Sequence, residues 1–180
     1  IGSLKDYLYL IPYDVDKISY SIDNGDCKEV RLNTNTGIIR LDGFQASAKN
    51  TETLDGRLKY ESEVSIYIHE TFGNNLYDRL RYLIQNKWFV VYETNGGVQF
   101  IQSVEFYSEF EYNITLTDQN NAQNRIQLKF KGSSNFPNMM MDNNIAKALT
   151  TPLFDDTCRY LKGGVFDFKM CESGYVVIKE

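Results

Sequence analysis

Val104-Glu105-Phe106-Tyr107-Ser108-Glu109-Phe110-Glu111-Tyr112-Asn113-Ile114-Thr115-Leu116, followed after a polar loop by Arg125-Ile126-Gln127-Leu128-Lys129-Phe130-Lys131, decides how this chain folds. Successive side chains of a strand face opposite sides. Val104, Phe106, Ser108, Phe110, Tyr112, Ile114 and Leu116 therefore share one face, and Glu105, Tyr107, Glu109, Glu111, Asn113 and Thr115 share the other. The return run sets Ile126, Leu128 and Phe130 against Arg125, Gln127, Lys129 and Lys131. Antiparallel pairing brings the acidic face of one run onto the basic face of the other. Glu111 opposite Lys129, with Glu109 opposite Lys131, is one register that also puts Phe110 beside Phe130. Each cross-strand pair adds only about 0.2–1 kcal/mol, but all of them favour the same register. Residues 97–131 thus read as a scaffold strand pair, with Thr117 to Asn124 as its connecting loop.

Upstream, Leu58 to His69 alternates too, with Leu58, Tyr60, Ser62, Val64, Ile66 and Ile68 on one face and Lys59, Glu61, Glu63, Ser65, Tyr67 and His69 on the other. Such a run spans on the order of 40 Å, about twice the usual strand. A helix over residues 75–86 follows, because Leu76, Leu80, Leu83 and Ile84 fall at i, i+4, i+7 and i+8. Asn75 suits its N-cap, and Asp78 sits near the positive end of its dipole. Trp88–Glu93 and Val98–Ser103 form a hairpin around Asn95-Gly96-Gly97. Leu4–Ile11, Lys17–Ile22, Cys27–Leu32 and Ile38–Leu41 read as strands, the middle two joined by the turn Asp23-Asn24-Gly25-Asp26. Residues 42–56 are polar and read as a loop.

Beyond Lys131 the pattern breaks up. Gly132 to Asn144 reads as a loop holding Pro137 and Met139-Met140-Met141. A short helix is expected at Asn144–Leu149, a helical turn within Asp155–Leu161, and a closing hairpin of Val165–Met170 with Tyr175–Lys179. The predicted fold class is mainly β with one central helix. A split β-barrel or sandwich of antiparallel strands occupies residues 1–138, and a C-terminal extension with short helices and a hairpin occupies 139–180.

Composition fits that class. The 180 residues suffice for one domain, and 13 Tyr, 11 Phe and one Trp suit pleated surfaces. A net charge of −5 disfavours a nucleic-acid binder, which needs clustered Lys and Arg against phosphate. No run of 18 apolar residues is present, so no membrane span is expected, and no signal peptide is visible. Cys27, Cys158 and Cys171 are odd in number and widely spaced. They read as free thiols, with a Cys158–Cys171 bridge as the alternative.

Chemistry is sparse. His69, the sole histidine, would have to serve any Ser–His or Cys–His pair, and one His with three scattered Cys does not supply the close ligand spacing of a zinc site. Asp23-Asn24-Gly25-Asp26 with Glu29 lacks calcium-loop spacing. Asp155-Asp156 suits a helix start. Gly96-Gly97 and Gly163-Gly164 lack phosphate-loop context. Glu61, Glu63, Glu105, Glu109 and Glu111 lie at period two, where solvation or pairing with Lys and Arg is a simpler role than glycoside cleavage. Tyr60, Tyr67, Tyr107 and Tyr112 suit packing better than a sugar-stacking platform. No catalytic residue, cofactor site or metal site is expected, and the chain does not read as an enzyme.

Residues 54–138 resemble phage tail-tube and tail-hub proteins with a split β-barrel. The motifs are Leu54-Asp55-Gly56-Arg57-Leu58-Lys59-Tyr60-Glu61, then Asn95-Gly96-Gly97-Val98-Gln99-Phe100-Ile101. Asn124-Arg125-Ile126-Gln127-Leu128-Lys129-Phe130 before Gly132-Ser133-Ser134-Asn135-Phe136-Pro137 completes them. They are similar to tail structural proteins of phages and prophages of Bacteroides-like bacteria. The first 53 residues fit loosely and those after 140 lie outside. The resemblance implies a virion subunit, assembled in the bacterial cytoplasm, that forms a ring with copies of itself and adjoins other tail proteins. DNA would pass through without specific binding. Glu61, Glu63, Glu105, Glu109 and Glu111 are candidates for an acidic lumen or a subunit interface, since an acidic wall repels phosphate. Met139, Met140 and Met141, with the loop 42–56, are candidates for inter-subunit contact, because Met adapts to irregular surfaces. A carbohydrate- or protein-binding β-sandwich of a surface protein is the alternative.

Overall fold

The computed structural model describes residues 3–14, 16, 18–23, 26–33, 38–68, 76–116, 125–142, 145, 150–153, 159–163, 166–170 and 176–179. It is mainly β with one helix, and its two principal sheets form a sandwich rather than a closed barrel.

The strand pair that decides the fold is present in the expected register. Chain order gives eight strands before it: β1 (Leu4–Pro12), β2 (Ile18–Asp23), β3 (Asp26–Leu32), β4 (Ile38–Asp42), β5 (Phe44–Leu54), β6 (Leu58–Ile68), β7 (Trp88–Thr94) and β8 (Gln99–Gln102). β9 (Glu109–Thr115) then pairs antiparallel with β10 (Arg125–Ser134), Glu111 opposite Lys129, Phe110 opposite Phe130 and Glu109 opposite Lys131. The first run is shorter than its alternation. Residues 103–107 leave the ladder, Ser108 makes a single bridge to Trp88, and Phe106 is 53% exposed. The bend has a cause: β8 belongs to one sheet and β9 to the other, so the chain must cross between them here.

The smaller sheet runs β5-β6-β10-β9, all antiparallel. β5 corrects the expected loop at 42–56. Its Ala46 and Ala48 are half-buried, but residues 49–54 are exposed on both faces, so nothing enforces an apolar alternation there. Gly43 forms the corner into β5, where a Cβ would lie 2.0 Å from the Tyr67 carbonyl oxygen, room that only glycine leaves.

The larger sheet runs β12-β4-β1-β7-β8-β11-β3-β2, where β11 is Met139–Met141 and β12 is Thr150–Pro152. Both late strands pair parallel, β11 with β3 and β12 with β4. Met139–Met141 is therefore not a loop, and the sandwich extends beyond the expected boundary at 138. The β7 segment Trp88–Glu93 is buried throughout, because its sheet is covered on both faces. On one face Leu8, Leu10, Val90 and Tyr92 meet Val64, Ile66, Leu128 and Phe130 of the smaller sheet. On the other, Ile11, Val30, Phe89, Val91, Ile101 and Met139 form a second core.

Helix α1 (Leu76–Gln85) inserts Leu76, Leu80 and Leu83 into the first core. Ile84, expected on that stripe, is instead 54% exposed. Two of its final carbonyls accept hydrogen bonds, Leu83 from the Trp88 indole at 3.0 Å and Tyr82 from the Asn86 amide at 2.8 Å. These contacts satisfy groups that a helix end leaves unpaired. Asn75 lies outside the described residues.

In the C-terminal region β13 (Arg159–Gly163), β14 (Phe166–Met170) and β15 (Val176–Lys179) form a three-stranded antiparallel sheet. The expected closing hairpin is β14–β15. Residues 159–161, expected as a helical turn, are strand. Of the expected helix Asn144–Leu149 only Ile145 is described, and the loop Thr117–Asn124 lies outside the described residues.

Candidate functional site

The smaller sheet turns one face to the core and the other outward. Alternation puts Glu61 and Glu63 of β6 on the outer face with Glu109 and Glu111 of β9, and their registers with β10 bring the four together. The same registers place Lys49, Lys59, Arg125, Lys129 and Lys131 on that face. Five basic groups thus intersperse four acidic ones, and the expected acidic wall is not what forms. The sequence already sets Glu109 and Glu111 against Lys131 and Lys129; the structure adds Lys49 from β5, a segment expected as loop, opposite Glu63.

The charges are arranged in a row. Lys49, Glu63, Lys131 and Glu109 are successive register partners across all four strands, alternating in sign. Lys131 reaches diagonally to Glu111 at 3.1 Å, and Lys129 lies 3.8 Å from Glu63. The hydrogen bond that Lys131 donates to Glu111, reinforced by the carboxylate's charge, holds the ammonium above the usual lysine range. At the two ends of the row, no ion pair to Lys49 or Glu109 forms among the described residues.

Glu105 stands apart from this face. It lies in the crossing segment, where its carboxylate accepts from the Asn135 amide at 3.1 Å. Phe106 and Tyr107 of that segment, with Lys49, Glu63, Glu109 and Lys131, wall an open groove of about 550 Å³. Tyr107 packs edge-on to Tyr13 and carries Lys87 over its ring at 4.5 Å. Tyr67 stacks on Phe44, Tyr112 packs beside Phe110, and only Tyr60 reaches a second cleft, of about 360 Å³, with Tyr92 and Phe100. The four tyrosines therefore do not form one platform.

The feature missed in the sequence is the β5–β6 hairpin. Beyond the Glu52–Tyr60 pair, where β10 ends its pairing with β6, it projects as a two-stranded arm, and residues 49–59 are exposed on both faces. Leu54 and Leu58 pair at its tip, 76% and 47% exposed. At its root the Asn138 amide lies 2.8 Å from Asn50 Oδ1, 3.0 Å from Ser62 Oγ and 2.9 Å from the Tyr92 hydroxyl, fastening arm to body. Asp55-Gly56-Arg57 between Leu54 and Leu58 was the available signal, since a three-residue loop with a glycine at positive φ closes a hairpin, and Gly56 has φ of +69°.

Of the three methionines, Met139 is buried in the second core, Met141 is half-buried against it, and Met140 is 45% exposed. Only Met140 is left open to a neighbour. His69, Cys158, Cys171, Asp155 and Asp156 lie outside the described residues. Among the described residues no cluster of three His, Cys, Asp or Glu could hold a metal ion, and no helix is long and apolar enough to cross a membrane.

No protein-family model matches the chain, and no curated protein or solved structure matches it.

Proposed function

We propose that this chain is a structural subunit of a phage tail, tube or hub, which assembles with copies of itself into a ring. The observation that carries the reading is the β5–β6 arm, exposed on both faces from 49 to 59 with two leucines at its tip. Beyond its fastened root, the tip of such an arm leaves its two leucines exposed in its own subunit. It gains stability only against a neighbour, and an open sheet edge is a ready template for one. Head-to-tail contacts of this kind close into rings when the rotation between copies permits.

In this reading the outer face of the smaller sheet lines the channel. Its balanced, alternating charges make a field that cancels within about 10 Å at 0.1 M salt, so DNA passes without being held. That replaces the repulsive acidic wall. The reading requires no catalytic residue and no cofactor.

The binding-module alternative rests on the groove under Phe106 and on the cleft of Tyr60, Tyr92 and Phe100. Native mass measurement over a concentration series separates the two. The tail reading expects a discrete multimer with ring-shaped images by electron microscopy. A chain that stays monomeric at high concentration and binds a glycan would establish the alternative instead.

A further inference from the structure

The smaller sheet ends in two edges of opposite charge, β9 and the part of β5 beyond Ala46, the start of β5 being held to β1 where Asp6 accepts from the Gly43 and Ala46 amides. On the outer face β5 carries Lys49, and β9 carries Glu109 and Glu111, all exposed. The ladder inside one subunit is alternating in sign, Lys49–Glu63–Lys131–Glu109, so a following β5 edge would continue the alternation. We infer that Lys49 and the Glu109–Glu111 pair are the specificity-determining charges of the junction between copies, selecting β5 against the next copy's β9. This rests on the ring-forming reading above, and it adds which edges meet and why.

The same charges reject the other pairings. β5 against β5 would oppose lysine to lysine, and β9 against β9 would oppose four glutamates; like charges directly opposite destabilise a ladder. Either symmetric pairing would stop at a dimer, whereas β5 to β9 leaves one edge of each kind free for further copies. Strand direction permits it, because β5 and β9 stand at opposite ends of an antiparallel four-strand ladder and therefore run opposite ways. Side chains on the inward face fit as well. With Lys49 opposite Glu109, as the continued row requires, and diagonal to Glu111, the large Phe110 falls opposite the small Ala48.

The test uses two charge-reversed variants of the full chain, Lys49→Glu and the double variant Glu109→Lys/Glu111→Lys, with assembly read by mass photometry at low salt. All three positions are exposed, and circular dichroism checks that each variant is folded. Each variant alone should need roughly tenfold more protein to assemble, the change expected when attraction becomes repulsion by about 1.4 kcal/mol. Mixing the two should restore assembly, because each supplies the edge that the other now requires, and high salt should narrow the differences. If wild type assembles and both variants assemble equally well, or if mixing restores nothing, the charge assignment is overturned while ring formation stands. If wild type never assembles, the ring reading itself fails.

Discussion

The Cγ of Gln102 lies 3.3 Å from the point where any residue other than glycine at position 132 would place its β-carbon. Gln102 is wholly buried at the end of β8, and its amide donates to the carbonyl oxygens of Ser62 and Phe130, both at 2.9 Å. Its own oxygen accepts from the Ser108 hydroxyl at 2.8 Å. One side chain thus ties the larger sheet to two strands of the smaller one, in the space that Gly132 leaves.

Replacing Gln102 with leucine should be costly although the volume is similar. The Ser108 hydroxyl and two buried carbonyls would lose a partner, and an unsatisfied buried polar group costs about 1–3 kcal/mol. Gly132→Val should destabilise by crowding the same site. Urea denaturation of the two single variants and the double variant should show strong non-additivity, because the residues touch.

The Phe110–Phe130 pair, with ring centroids 5.0 Å apart, should respond unequally. Phe130 is fully buried, and Phe130→Ala should cost about 3–5 kcal/mol. Phe110 is half-buried on the edge strand, so Phe110→Ala should cost clearly less. Equal losses in thermal unfolding would mean that β9 is covered as deeply as β10.

Asn138→Ala should loosen the arm more than the body. Loss of the contacts to Asn50, Ser62 and Tyr92 should lower global stability by only about 1 kcal/mol. Backbone amides of residues 49–61 should nonetheless exchange several-fold faster, while those of β7 stay protected. Uniform acceleration across both would show that Asn138 is a core residue rather than a fastening for the arm.

Alkaline pH should weaken the fold through two groups. Lys131 is raised above 10.5, chiefly by its hydrogen bond with Glu111, and Tyr82 is raised above 10.0 by burial. A raised folded-state pKa stabilises fully below the unfolded value and loses that contribution as pH climbs through the folded one. The melting temperature should therefore fall as pH rises past about 10, and Lys131→Gln should flatten part of the fall. Tyr82→Phe should flatten a further part.

The register of β9 on β10 was legible because alternation, charge and aromatic pairing all pointed to one alignment. Other parts were hidden for identifiable reasons. β5 lacks an apolar stripe because its outer half projects from the sandwich. Met139–Met141 is only three residues long, and its strand character comes from being wedged between β8 and β3. The bend at 103–107 was masked because the apolar–polar alternation of the sequence runs on through it, although Phe106 and Tyr107 are both exposed there. The charge of the outer face was misjudged for a different reason. It is a property of four strands together, and Lys49 enters it from a segment read as loop.

If the ring forms as proposed, another copy of the chain completes the free β5 edge. Hydrogen–deuterium exchange of the backbone amides of Ser47–Leu54, compared between dilute and concentrated protein, tests this most directly. These amides should become protected on concentration, in step with the edge amides of β9 and with the appearance of the multimer. Exchange in β5 that is rapid and unchanged while the multimer forms would contradict it.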